Sequence, residues 1–343
     1  MVDTVLSGGW IIDGTRTPPY QADLCIQDGK IVAISPQWEG NCRTRVDVTG
    51  KIVSPGFIDI HTHSDTCPFS AVFPESKVAQ GITLEIVGNC GVSAVPILPS
   101  CQAEQTAYLR KISEIPVPEE AVRDASVQKY AAHVAQTGYP SHLGTLIGQG
   151  TLRAGIVGFQ DRPLTPSEME QMKFLLDDQL NQGALGLSLG LIYPPGSFSP
   201  TSELRELARV VQKHKKILAV HMRNEGPNIF QAVEEMLSIA EETGVHLHIS
   251  HLKLMGKAQW GQAPRLLERI EASRQRGAVV TCDQYPYTAT STILAALLPR
   301  RAYDGGSAAM LRRVSDPDTS LLRDIAEEME RRGGADAVLV AST

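Results

Sequence analysis

PGFIDIHTHSD, residues 55–65, is the stretch from which the fold can be read. Gly56 to Ile60 is an apolar run of strand character, yet it ends on His61 and His63, one residue apart. Residues two apart on a strand point the same way, so both imidazoles face one side at the strand's C-terminal end. Placed like that, they can hold one metal ion between them. Similar strand-like runs recur at 83–88, 143–148, 184–190, 217–222, 246–252 and 279–285. Between them lie stretches of helical period: SEMEQMKFLLDDQLNQG (167–183), SELRELARVVQKHKK (202–216) and NIFQAVEEMLSIAEETG (228–244). Two of these close on glycine, as helix C-caps do. Strands alternating with helices predict parallel βα units, here an α/β fold of the (β/α)8 TIM-like barrel type over residues 55–343. Such barrels gather their chemistry where the strands end.

Residues 1–54 read differently. Short runs broken by Gly-Gly, Asp-Gly and Thr-Gly predict the N-terminal part of a small β-sandwich domain, whose C-terminal part is expected beyond residue 343. At 343 residues, with 42% hydrophobic and 20% charged positions, the chain has enough apolar content for a large core. A formal charge of −6 speaks against a nucleic-acid partner, which needs a surplus of Lys and Arg on one face. The basic cluster Arg300, Arg301, Arg312 and Arg313 reads as a solvated helix face. The N-terminus lacks the basic and apolar regions of a signal peptide, and no apolar run approaches the ~20 residues of a membrane span, so a cytoplasmic protein with no membrane partner is expected. Six cysteines without a CxxC suggest neither a disulfide framework nor a zinc knuckle.

Further polar residues sit where strands end. Cys90 follows the second strand in VGNCGVS, His221 ends the fifth in ILAVHMRNEG, and His251 ends the sixth in HLHISHLKLMG. Period-two alternation puts His251 and Lys253 on one face of that sixth strand, with Leu247 and Ile249, and turns His246 and His248 toward the outer helices. His133, His142 and His214 lie away from strand ends and read as structural or solvated. Thiolate and imidazole together favour zinc over magnesium or calcium, with room for one ion or two. The run Gly186-Leu-Ser-Leu-Gly190 matches a nucleophile elbow, but no helix pattern follows it and no histidine occurs beyond His251, so Ser188 reads as a small residue in a packed strand.

Taken together, PGFIDIHTHSD, GNCGVS, GLSLGLIYPPG, HMRNEG, ISHLKLMG and DQYPYTATST, spread over residues 55–292, resemble the amidohydrolase superfamily and within it the D-aminoacylase (N-acyl-D-amino-acid deacylase) family. By this resemblance Cys90 replaces the bridging lysine of other amidohydrolases. His61 and His63 are then ligands of a weaker metal site, and Cys90, His221 and His251 hold a tighter zinc. Tyr193, Lys253, Tyr285 and Ser291 orient a small N-acyl amino acid, with Lys253 and Ser291 near its carboxylate and Tyr285 donating to the oxyanion. The implied reaction is zinc-dependent hydrolysis of the amide bond of an N-acyl-D-amino acid, with the D preference inherited from the resemblance alone. Zinc makes this possible by lowering the pKa of a water to about 7 and polarising the carbonyl. Two rivals remain: a hydantoinase or dihydroorotase-like cyclic amidase, against which Cys90 speaks, and a non-catalytic amidohydrolase remnant that binds metal. The resemblance also implies an acid/base aspartate at the end of an eighth strand. The sequence stops at ADAVLVAST, after the seventh, with no SDG-like segment beyond Tyr287, so a fragment is expected, with that aspartate beyond residue 343. Asp65 and Asp283, read as the nearby carboxylates, receive no acid/base role.

Overall fold

The structure, a computed structural model, describes residues 1–70, 75–110, 113, 117, 119, 123 and 125–340. The chain divides into two compact units, Met1–Phe57 and Ile58–Thr343.

In the first unit, β1 (Val2–Ile11), β2 (Tyr20–Gln27), β3 (Lys30–Ser35), β4 (Cys42–Asp47) and β5 (Ile52–Val53) form one sheet in the order β3-β2-β1-β4, with β5 also paired to β1. The β2–β3 hairpin turns on Asp28 and Gly29, whose φ angles of 49° and 71° match the twist of a two-residue I′ turn. Val2, Val5 and Cys25 are buried together on one face. Residues 1–57 thus form a single mixed sheet.

In the second unit β6 (Phe57–Asp59, starting at the unit boundary), β7 (Ile82–Val87) and β8 (His142–Thr145) form one sheet. A second sheet runs β9 (Ile147–Gly148), β10 (Gly186–Gly190), β11 (Ile217–His221), β12 (His246–Ile249) and β13 (Val280–Cys282), every neighbouring pair parallel. β8 and β9 occupy one expected strand, interrupted at Leu146, whose N–H turns to the carbonyl of Val87 at 2.9 Å. The described residues therefore hold seven strand positions with helices between them, the α/β arrangement of a TIM-like barrel. Helix Pro166–Asn181 begins on a capping box between Thr165 and Glu168 with proline in its first turn, and Val127–Thr137 and Ile229–Thr243 stop at left-handed Gly138 and Gly244.

Both faces of the central strands β10, β11 and β12 are largely buried. Leu187, Leu189, Leu218, Val220, Leu247 and Ile249 pack with helix residues such as Leu204, Leu207, Val233 and Met236. The opposite face carries Ile86, Leu146 and Ala219, with Leu84, Leu185 and Ile217 against them. Ala219 is in register with His248 and Ile217 with His246. This overturns the expected parity of β12: His246 and His248 lie on the inner face, while Leu247 and Ile249 face the helices. An apolar residue marks neither face when both are covered. No helix among the described residues is long and apolar enough to cross a membrane.

Candidate metal centre and amide-binding pocket

β6 ends at Asp59, so His61 and His63 lie in the turn beyond the strand, where the N–H of His61 donates to the Asp59 carboxylate at 3.2 Å. Cys90 stands in the loop after β7. That loop is left-handed at Gly88, Cys90 and Gly91, with φ of 78°, 53° and 76°. It presses so closely on the end of β10 that a Cβ at Gly190 would sit 2.0 Å from the carbonyl oxygen of Cys90, and one at Gly91 would sit 2.5 Å from the nitrogen of Gly190. Only glycine fits at either place. Ser188 props the same loop from below: fully buried, it donates to the carbonyl of Gly88 and accepts from the N–H of Gly91 at 3.0 Å. A hydroxyl engaged in this way is a strut, as its reading as a packed strand residue requires.

His221 closes β11, and His251 sits two residues past β12 in a turn, at φ 38°. The turn breaks strand alternation, and so His251 reaches the mouth although His248 already faces inward. The five residues expected to hold metal come together there. Cys90 Sγ is 3.3 Å from His61 Nε2 and 3.6 Å from His251 Nε2. Ring centroids stand 5.0 Å apart for His61 and His251, 4.3 Å for His221 and His251, and 5.6 Å for His61 and His63. Burial alone would raise the thiol's pKa, but the surrounding imidazoles of His221, His251, His61 and His63 bring it well below its usual value, toward the thiolate.

Two carboxylates join this cluster. Glu225, not singled out in the sequence, places Oε1 2.9 Å from His251 Nδ1, 2.6 Å from Lys253 Nζ and 3.7 Å from His221 Nε2. Burial opposes its ionisation, but His221, His251 and Lys253 outweigh that and hold its pKa at about 2. Asp283 accepts from the backbone N–H of His251 at 2.6 Å, and its Oδ2 lies 3.3 Å from His61 Nδ1 and 2.9 Å from His248 Nε2. Asp65 is more remote in role: buried, it accepts from the N–H of Gly88 at 3.0 Å and so ties the His63 turn to the Cys90 loop.

A cavity of about 590 Å³ opens over the cluster, and Tyr193, Lys253, Tyr285 and Ser291 all line it. Tyr285 keeps its hydroxyl buried with no hydrogen-bond partner, and burial, reinforced by Glu225, pushes its pKa up to about 12, so it is a proton donor at any ordinary pH. Tyr193 packs edge-on against His221, with its hydroxyl 2.7 Å from that of Thr292. Tyr287 sits exposed at the rim. Lys253 is occupied: besides Glu225 it reaches the carbonyl of His251 at 3.0 Å. The cavity's other Lys or Arg among the described residues is Arg332. The remaining histidines stand apart: His133 stacks on Phe69, His142 is exposed, and His214 pairs with Asp177.

These side chains fit a soft divalent ion. His63 Nδ1 and both ring nitrogens of His221 are buried without a hydrogen bond, a state rarely left uncompensated. Ligand atoms of His61, Cys90 and His251 lie within 4.8 Å of one another, as do those of His221, Glu225 and His251. The thiolate and imidazole donors suit zinc.

No family model matches the chain. It is similar to a D-aminoacylase of Alcaligenes xylosoxydans xylosoxydans, 36% identical over 292 residues that make up 85% of this chain and 59% of that protein. It also superposes, with a TM-score of 0.77 and 37% identity, on the crystal structure of an N-acyl-D-glutamate deacylase from Bordetella bronchiseptica complexed with zinc and a phosphonate inhibitor that mimics the tetrahedral intermediate, covering 85% of this chain and 60% of that one. The likeness to an L-hydantoinase from Arthrobacter aurescens, at 15% identity and a TM-score of 0.55, shows the fold alone. The chain thus spans about three fifths of the length of these two deacylase relatives. A parallel barrel with histidines and a thiolate gathered at its mouth is the architecture of a metal-dependent amidohydrolase. Within that class, the chain belongs to the D-aminoacylase family.

Proposed function

We propose that the protein is a zinc-dependent hydrolase that splits the amide bond of N-acyl-D-amino acids into a D-amino acid and a carboxylate. The observation that carries this reading is the convergence of Cys90, His221 and His251 with His61 and His63 beneath one cavity, in a chain 36% identical to a D-aminoacylase. Cys90, His221 and His251 would hold a tighter zinc, and His61 and His63 a weaker second one. When bound, zinc makes water acidic enough to attack near neutral pH and polarises the amide carbonyl. The chain's own residues would bind and orient the substrate. Tyr285, a cavity-lining residue whose buried hydroxyl has no partner, would donate to the oxygen that becomes negative as the carbonyl is attacked. Tyr193 and Ser291 line the walls that fix the substrate's orientation. An N-acyl amino acid is an anion, and Lys253 meets its carboxylate as a cation shared with Glu225, with Arg332 the second positive group in reach of the cavity.

The first test is His221→Ala. Zinc content and hydrolysis of an N-acetyl-D-amino acid are expected to fall together, with release of acetate as the readout. Zinc bound without turnover by the unaltered protein would favour the metal-binding remnant. Faster turnover of a hydantoin than of the linear amide would favour the cyclic amidase.

A further inference from the structure

We propose that Asp283 and Glu225 are positioning residues that fix which nitrogen of His61 and His251 meets the metal, by accepting the Nδ1–H of each ring and leaving both Nε2 atoms turned toward Cys90. The inference rests on the reading of His61, His251 and Cys90 as metal ligands. For each ring the two nitrogens face different partners. His61 Nδ1 lies 3.3 Å from Asp283 Oδ2 while its Nε2 lies 3.3 Å from Cys90 Sγ. His251 Nδ1 lies 2.9 Å from Glu225 Oε1 while its Nε2 lies 3.6 Å from the same sulfur. A neutral imidazole carries one proton, and a carboxylate at Nδ1 draws it there, so Nε2 is left as the lone-pair donor.

The surrounding contacts are consistent with that assignment. Lys253 Nζ also lies 3.0 Å from His251 Nδ1, where an unprotonated ring nitrogen would accept from it, so the assignment requires the ammonium to direct its hydrogens instead to Glu225 Oε1 and the carbonyl of His251, 2.6 and 3.0 Å away. Asp283 does a second task. Its Oδ1 takes the backbone N–H of His251 at 2.6 Å, and so holds that residue at φ 38°, a region an ordinary side chain seldom occupies. His248, on the inner face of β12, donates to Asp283 from Nε2 at 2.9 Å, which steadies the carboxylate from behind. One aspartate on the chain just past β13 therefore controls the ring of a residue after β6 and the backbone of a residue after β12.

The test combines zinc affinity with the nitrogen spectrum. Using the 343-residue chain with 15N-labelled histidine, nitrogen–proton correlation on the zinc-loaded protein should show His61 and His251 coordinated through Nε2 and protonated at Nδ1. Competition with a chromophoric chelator should show zinc bound about 10- to 100-fold more weakly in Asp283→Ala and in Glu225→Ala, the range for loss of such outer partners. Asp283→Asn and Glu225→Gln keep an oxygen acceptor and should recover most of that loss. They also carry the nitrogen measurement should the alanine variants fail to fold. Coordination of His251 through Nδ1 beside Glu225, or variants that bind zinc as the unaltered chain does, would overturn the proposal while leaving the metal reading intact. A chain that binds no zinc at all would overturn both.

Discussion

Tyr285 carries a buried phenol hydroxyl without a partner, in the wall of the cavity where the proposed hydrolysis would place charge on an amide oxygen. Tyr285→Phe is expected to lower kcat about 100-fold with little change in KM, the mark of a donor that acts in the transition state. A residue that merely packs there would shift KM or stability instead, and steady-state kinetics on an N-acetyl-D-amino acid separates the two. Cys90→Ser replaces a thiolate by a harder, uncharged oxygen. Zinc affinity should drop, and a near-ultraviolet thiolate band expected of the cobalt-loaded unaltered protein should be absent from the cobalt-loaded variant. At this scale much could be read in advance, because histidine and cysteine at strand ends advertise ligand chemistry by type. Glu225 escaped notice although it lies inside HMRNEG. Nothing in that stretch indicates that a turn after β12 will set His251 and Lys253 against it. Asp283 matches no acid/base position of the resembled family, and its two histidine partners come from β12 and from 222 residues upstream, which no local pattern shows.

Among the elements, helix Pro166–Asn181 offers the cleanest test of local chemistry. Glu168 receives the Arg162 guanidinium and the N–H of Thr165, and these hold its pKa at about 2. Because that lies below the ordinary value near 4.5, the stabilisation is complete above about pH 4.5 and fades as pH falls toward 2. Glu168→Gln keeps an acceptor for the Thr165 N–H but loses the charge that Arg162 grips with both guanidinium nitrogens, and should therefore destabilise the protein at pH 7 by up to about 1 kcal/mol. In thermal melts the gap to the unaltered protein should close near pH 2. A constant gap across pH would mean that packing, not charge, is at work. Strand positions were readable from apolar runs, but their ends were not: β6 stops before His61 and β12 before His251, since hydrogen-bond pairing, not hydropathy, sets where a strand finishes. The interruption at Leu146 has no signature in an apolar run. The inner face of β12 was misread for the reason given by its neighbours, leucine and isoleucine covered by helices on the outside.

At the scale of the whole molecule, a folded site of preset ligands makes zinc a stabiliser by mass action. At free zinc about 100 times Kd, the unfolding free energy should rise by about 2.7 kcal/mol, provided the unfolded chain binds none. Scanning calorimetry with and without zinc checks this, and a chelator should reverse it. A melting point indifferent to both would mean that the cluster holds no ion. The alternation of strands and helices was readable across the chain because each βα unit repeats the same pattern of apolar runs. The arrangement of seven strand positions as separate sheets of three and five was not, since it follows from one local break within the third.

The contact between the Cys90 loop and Gly190 has a genetic consequence. What a methyl group at position 190 would strike is the carbonyl oxygen of Cys90, and what one at position 91 would strike is the backbone nitrogen of Gly190. No neighbouring side chain can be trimmed to make room. A selection for restored activity starting from Gly190→Ala should therefore recover true revertants and almost no second-site suppressors, whereas a clash between two side chains would yield both.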